Sequence, residues 1–135
     1  MKEPDFIVEA RRWLKYAQED LDAANVILQY PTIAHRHVCW LAQQSAEKAI
    51  KGALIYLQID FRRTHDLDVL LNLLPVDWDV RRRFPDLAEL TEWAVEARYP
   101  GEWQDANEYD AQQAFKQARE VLESILADLK RLGLP

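Results

Sequence analysis

Apolar residues recur at steps of three and four along three long stretches of this chain, and this spacing constrains the fold more than any other feature. Such a column forms one face of an amphipathic helix, which is buried when helices pack together. No segment alternates apolar and polar residues as a half-buried strand does. The sequence therefore predicts an all-α fold, an antiparallel up-and-down helical bundle of four to five helices.

The three long helices are predicted from these columns and from the residues that end them. The first runs from about Asp5 to Tyr30, and Pro31 stops it because the residue before a proline avoids the helical region. The second runs from about Ile33 to Gln58. The last runs from near Ala106 to near Leu132, where Gly133 supplies the stop.

The second helix carries a mostly apolar column, rich in alanine, that lets a neighbouring helix approach closely. Its polar residues are expected on the opposite side: Gln43, Gln44, Glu47, Lys48 and Lys51. Glu47 and Lys51 are four residues apart, so they are spaced to pair across one helical turn.

Two shorter helices are predicted between the second and last long helices. The hydroxyl of Thr64 is expected to cap the first of them, and Asp66 adds negative charge where the helix dipole favours it. The next is expected to start at Pro85 or Asp86 and to end at Arg98, because a Tyr-Pro-Gly sequence follows.

Length and charge narrow the class of protein. The 135 residues fit one domain, spanning 1–135, and the net charge of −6 argues against coating nucleic acid through bulk charge. The N-terminal segment lacks an apolar core, and the charge-free run from Ala23 to His35 is shorter than a bilayer span and contains Pro31. We expect a cytoplasmic protein that does not enter the membrane.

Metal and cysteine chemistry are not favoured by the sequence. His35 and His37 point to different faces of a helix, and no paired ligand motif is present, so we expect no metal site and no cofactor. Cys39 lies in an apolar stretch, which indicates a buried, inert thiol. Trp78 and Trp103 fall in predicted loops, where core packing is favoured over a binding surface or a dimer contact.

Two polar clusters stand apart because helix packing does not require them. One is the segment 62–67, Arg-Arg-Thr-His-Asp-Leu, and the other is the segment 97–101, Ala-Arg-Tyr-Pro-Gly. Both functional and structural interpretations remain open. Thr64 and Asp66 are also explained by helix capping, and Arg98 by bonds to carbonyls at a helix C-terminus.

At these residues the sequence resembles the HEPN family, the "higher eukaryotes and prokaryotes nucleotide-binding" domain. The matching features span nearly the whole chain in order: Asp20-Leu21 and Ala24, the segment 43–51, Thr64-His65-Asp66-Leu67 with Leu70-Leu71, Ala97-Arg98-Tyr99-Pro100, and a last helix rich in Ala and Leu. The resemblance implies a helical bundle that is usually dimeric. It also implies a minimal nucleotidyltransferase as a frequent partner, the two often forming a toxin–antitoxin or nucleotide-handling module.

The resemblance also implies what a ribonuclease of this family would need. Many members cleave RNA without a metal ion, and their motif is an arginine followed, after four to six residues, by a histidine. No histidine follows His65, and the motif's spacing after Arg98 lands on Trp103, Gln104 and Asp105. We therefore expect no catalytic residues and no RNA cleavage.

These observations favour a non-catalytic, homodimeric HEPN protein that binds a nucleotidyltransferase, a nucleotide or both. A ribonuclease toxin with an atypical active site, which would contact RNA, is the first alternative, and a purely structural helical oligomer is the second. The predicted binding surface consists of five residues: Arg98, Tyr99, Thr64, His65 and Asp66.

Overall fold

The computed structural model describes residues 2–96 and 104–134, and that part of the chain forms a bundle of helices without strands. The helices are α1 (Asp5–Leu28), α2 (Arg36–Tyr56), α3 (Leu67–Leu71), α4 (Asp79–Arg83), α5 (Ala88–Glu96) and α6 (Glu108–Arg131). The all-α bundle predicted from the sequence is confirmed. The short helix α4 is additional to the helices that the sequence predicted.

Helices α1 and α2 pack antiparallel along their whole length. Phe6 near the start of α1 meets Tyr56 at the end of α2, with ring centroids 6.4 Å apart. Farther along α1, the carboxylate of Asp20 forms a salt bridge with Lys48, which lies earlier in α2; the distance from Oδ2 to Nζ is 2.6 Å. Residues near the start of α1 therefore face residues near the end of α2, and later residues of α1 face earlier residues of α2.

Small residues bring these two helices close together. A Cβ added to Gly52 would lie 3.1 Å from Leu14 Cγ and 3.3 Å from Trp13 Cβ, which is tighter than ordinary contact. One heptad earlier, Ser45 Oγ donates a 2.8 Å hydrogen bond to the carbonyl of Ala17. The glycine and serine therefore act as spacers that fix the separation of α1 from α2.

Helix α6 completes the core against α2 and α1. Its N-terminus is a capping box, in which Asn107 and Asp110 each accept the other's backbone N–H. The apolar column predicted for this helix is buried at Ala118, Leu122, Ile125 and Leu129, whereas Leu132 at the end of the helix is 48% exposed. Tyr56 Oη donates to the carbonyl of Leu132 at 3.2 Å, which ties the end of α6 to the end of α2.

The additional helix α4 is held by a buried carboxylate from α6. Asp128 is 1% exposed; it accepts the backbone N–H of Val80 at 3.4 Å and bonds the guanidinium of Arg131. Trp78, which precedes α4, is 4% exposed and belongs to the hydrophobic core. The expectation that Trp78 packs in the core is confirmed, while Trp103 lies outside the described residues.

One prediction about polar residues is wrong. Thr64 does not cap α3; Asp66 does, because its side chain accepts the backbone N–H groups of Asp68 and Val69. On α2, the side chains of Gln43, Glu47 and Lys51, expected on the side opposite the apolar column, are buried. The physical reason is that α2 is central, contacting α1, α3, α5 and α6, so most of its circumference is covered.

Within residues 2–96 and 104–134, none of the helices is both long enough and apolar enough to cross a membrane. Cys39 is fully buried, as the sequence indicated.

The close contact at Gly52 predicts a large effect of added volume. Changing Gly52 to valine should lower the free energy of unfolding by about 2 kcal/mol or more, since overpacking and forced backbone shifts commonly cost about 1–3 kcal/mol. The matched control is Ala23→Val on the exposed side of α1, which should cost only its helix propensity, roughly 0.7 kcal/mol or less. Urea unfolding measures both, and equal stability of the two variants would contradict the contact.

Candidate functional site

A buried carboxylate, Glu47, organises the polar residues of the bundle. Its Oε1 accepts a hydrogen bond from His65 Nδ1 at 2.7 Å and another from Gln43 Nε2 at 3.2 Å. Its Oε2 accepts from Lys51 Nζ at 3.0 Å. Each oxygen thus has a donor, although the residue as a whole is only 4% exposed.

The spacing of the α2 residues builds this arrangement. Gln43, Glu47 and Lys51 are four residues apart, so their side chains stack along one face of the helix. Gln43 Nε2 also donates to the backbone carbonyl of His65 at 3.1 Å, and Gln44 Nε2 donates to Gln43 Oε1 at 2.7 Å. The amide of Gln43 therefore fixes the main chain of the loop that carries the histidine.

Lys51 is enclosed by aromatic rings as well as by the carboxylate. Its Nζ lies 5.7 Å from the ring centroid of Trp13 on α1 and 5.7 Å from that of Phe61 in the following loop. An ammonium group over aromatic faces is stabilised by the ring quadrupole, and more so when it is shielded from water. The lysine thereby joins α1, α2 and the loop. The predicted pairing of Glu47 with Lys51 is confirmed.

The network keeps Glu47 ionised. Burial raises the pKa of a carboxyl group, but hydrogen bonds from His65, Lys51 and Gln43, together with the charge of Lys51, outweigh burial and hold the pKa of Glu47 below its usual value. An ionised carboxylate only accepts hydrogen bonds, so the proton in the contact with His65 belongs to Nδ1.

This contact leaves His65 as the accessible end of the network. The side chain is 49% exposed, whereas that of Glu47 is 6% exposed. With Nδ1–H directed to the carboxylate, Nε2 of a neutral imidazole is an acceptor, and it becomes a donor when the ring is protonated. The arrangement orients one histidine and offers its Nε2 atom for hydrogen bonding or proton transfer.

Thr64 and Asp66 shape the loop on either side of the histidine. Thr64 Oγ1 accepts the backbone N–H of Asp66 at 3.1 Å, and Asp66 caps α3. The first amide of α3, that of Leu67, donates to Thr91 Oγ1 on α5 at 3.0 Å. The loop is therefore connected to α5 as well as to α2.

Arg98 and Tyr99, the other residues of the predicted binding surface, lie outside the described residues. Their assembly with Thr64, His65 and Asp66 stays a prediction. Arg62 and Arg63, just before this loop, are exposed and leave positive charge next to it.

The carboxylate that holds His65 was not predicted from the sequence. Glu47, Gln43 and Lys51 matched the polar side of an ordinary amphipathic helix. Ala42, Ala46, Ala49 and Ala53 all belong to the apolar column on one side of this row, while Gln44 and Lys48 lie on its other side. The local pattern therefore did not indicate that the row is buried.

Among residues 2–96 and 104–134, His, Cys, Asp and Glu side chains form no group of three or more arranged to hold a metal ion.

Comparison with known proteins defines the class to which this bundle belongs. The family model described as the HEPN domain matches residues 10–129, and the chain is a member of the HEPN family.

Individual relatives agree with this assignment. The protein named "Putative toxin MJ1304" from Methanocaldococcus jannaschii is 34% identical over 139 residues, covering 90% of this chain and 88% of the relative. The crystal structure of TT1696 from Thermus thermophilus superimposes with a TM-score of 0.74 at 25% identity, covering 88% of this chain and 97% of that one. The structure of ST0689, described as an archaeal HEPN homologue, gives a TM-score of 0.63 at 26% identity, with 94% and 98% covered.

The lowered pKa of Glu47 predicts a pH-dependent contribution to stability. A carboxyl group with a depressed folded-state pKa stabilises the fold above its unfolded value, near 4.5, and this contribution disappears as pH falls through the folded pKa. Changing Glu47 to glutamine should therefore cost about 3 kcal/mol at neutral pH, because Lys51 is left buried without its counter-ion. The difference from the unchanged protein should shrink below about pH 4.5.

The control for this experiment is Asp20→Asn, which removes a carboxylate from the more exposed pair with Lys48. Such a pair contributes about 1 kcal/mol or less. Chemical denaturation at a series of pH values measures all three proteins. A Glu47→Gln variant no less stable than Asp20→Asn at neutral pH would contradict the role of the buried network.

Proposed function

We propose that this chain is a non-catalytic HEPN subunit of a toxin–antitoxin-like module, binding a nucleotidyltransferase partner, a nucleotide or both. The observation that carries the proposal is His65, a half-exposed imidazole held by the buried carboxylate of Glu47 at 2.7 Å. A fixed hydrogen-bonding side chain at the end of a buried network is suited to recognise a ligand, since little freedom is lost on binding.

Two further facts support this function. The relative from Methanocaldococcus jannaschii carries the word toxin in its name, which fits a module of this kind. Positive charge from Arg62 and Arg63 lies beside His65, in a chain whose net charge is −6. A local excess of arginine favours phosphate groups, which arginine binds through two parallel hydrogen bonds. In this proposal, Arg98 and Tyr99 complete the surface, and the chain acts as a homodimer.

A specific observation also favours a second function, metal-independent cleavage of RNA. A histidine oriented by a carboxylate is a common arrangement for general acid–base catalysis, and His65 Nε2 is placed to exchange a proton. The arginine-to-histidine spacing of the family's ribonucleases is nevertheless absent from the whole sequence. The non-catalytic function therefore remains the preferred proposal.

ATP is the probe for the binding surface, because nucleotidyltransferases use nucleoside triphosphates. We expect saturable binding by isothermal titration calorimetry, weakened about 5- to 150-fold by His65→Gln or Arg98→Lys, which corresponds to about 1–3 kcal/mol for a charged hydrogen bond. The lysine keeps the positive charge but loses the two-pronged geometry of arginine. His37→Gln and Arg12→Lys are the controls, as both residues are exposed and outside the loop.

Equal weakening by the controls would contradict the proposed surface. A fall in melting temperature for Arg98→Lys with ATP affinity unchanged would make that arginine a structural residue.

RNA cleavage separates the two functions. Incubated with a mixed single-stranded RNA and a chelator, the purified protein should leave the RNA intact over hours. Cleavage that persists in His37→Ala and disappears in His65→Ala would replace the non-catalytic proposal with the ribonuclease. Gel electrophoresis of end-labelled RNA is the measurement.

A further inference from the structure

A groove of about 260 Å³ lies between α5 and α6, on a different side of α5 from the His65 loop. On α5, Thr91 bonds the first amide of α3, while Leu90 and Trp93 line the groove. The groove is defined by six of its lining residues: Phe84, Leu90, Trp93, Tyr109, Gln113 and Gln117.

We propose that this α5–α6 groove binds a small planar aromatic molecule of one or two rings that is neutral or positively charged. Pockets for drug-sized ligands occupy roughly 300–1,000 Å³, so a groove near the lower limit suits a smaller molecule. The proposal is independent of the function assigned to the His65 loop, because it concerns other residues and excludes phosphate-bearing ligands.

Aromatic side chains provide the surfaces on which a ring would stack. Phe84 lines the groove and is 8% exposed, and the guanidinium of Arg83 lies 5.2 Å from its ring centroid. Trp93 is half-buried and Tyr109 is 67% exposed. Offset and edge-to-face contacts between rings stabilise a bound aromatic ligand beyond the effect of area burial.

Two amides on α6 supply directional contacts. Gln113 and Gln117 are four residues apart and therefore lie on the same side of the helix. Within the described part of the chain neither side chain makes a hydrogen bond, whereas the neighbouring Gln112 bonds Glu108. Each free amide offers one acceptor oxygen and two N–H donors to the polar edge of a heterocycle.

The charges around the groove decide which ligands are favoured. Glu89, Asp110 and Glu120 are its acidic residues, and Lys116 is its basic one. Asp110 already accepts the backbone N–H of Asn107 in the capping box, but it keeps its negative charge. The nearby Arg83 faces Asp79 at 3.9 Å. The net negative potential disfavours an anionic ligand and favours a cationic one.

Three ligands of similar size and different charge test the proposal: tryptamine, indole and indole-3-acetate. By titration calorimetry at neutral pH, tryptamine should bind most tightly and indole-3-acetate at least about fivefold more weakly, owing to the charge of the groove. Tyr109→Ala and Gln113→Ala should each weaken tryptamine binding about fivefold, the loss of one stacking or hydrogen-bonding contact. Both residues are exposed, so these variants should fold normally.

Two matched controls complete the design. Tyr16→Ala removes an exposed tyrosine on α1, and Gln112→Ala removes a glutamine outside the groove; neither should change the affinity. The double change Glu89→Gln and Glu120→Gln should abolish the preference for tryptamine over indole-3-acetate. The proposal is overturned if none of the three ligands shows saturable binding at millimolar concentration, if indole-3-acetate binds best, or if the controls weaken binding as much as Tyr109→Ala.

Discussion

The ionised carboxylate of Glu47 is the interaction on which the organisation of this bundle depends. A buried charge is unfavourable unless donors compensate for the lost water. Here compensation comes from three donors on two parts of the chain: an amide and an ammonium on α2, and an imidazole on the loop before α3. Satisfying one carboxylate therefore fixes the path of that loop. The exposed position of His65 follows from a requirement of the core.

Because α2 is central in the bundle, the same helix carries the residues that pack the core and the polar residues that hold the candidate site. Its small residues face α1, where Gly52 and Ser45 allow close packing. Its polar row faces the loop that carries the histidine. Helix α5 is in contact with both α2 and α3 and also lines the α5–α6 groove. The α5–α6 groove and the loop that carries His65 thus contact the same short helix through different residues, Leu90 and Trp93 in the groove and Thr91 at the loop.

Much of the fold was predictable because apolar periodicity is a local property. The first helix begins at Asp5 in both the sequence analysis and the structure, and the buried thiol of Cys39 followed from its apolar neighbours. Helix α4 was missed because it depends on Asp128, a residue some fifty positions later. The burial of Glu47 was missed for the same kind of reason: its partner His65 comes from a separate segment. Single-sequence patterns do not report such long-range pairing. The predicted binding surface remains a prediction.

The polar network of Gln43, Glu47, Lys51 and His65 also limits which substitutions this sequence can tolerate. Replacing Glu47 alone leaves Lys51 without a counter-ion, whereas replacing Lys51 alone exposes two aromatic faces and an uncompensated carboxylate oxygen. Contacting residues of this kind have strongly non-additive effects on stability. Positions 43, 47, 51 and 65 are therefore under joint constraint, so that each amino acid is acceptable only in the presence of the others. Evolutionary change at this cluster would require compensating substitutions in both α2 and the loop.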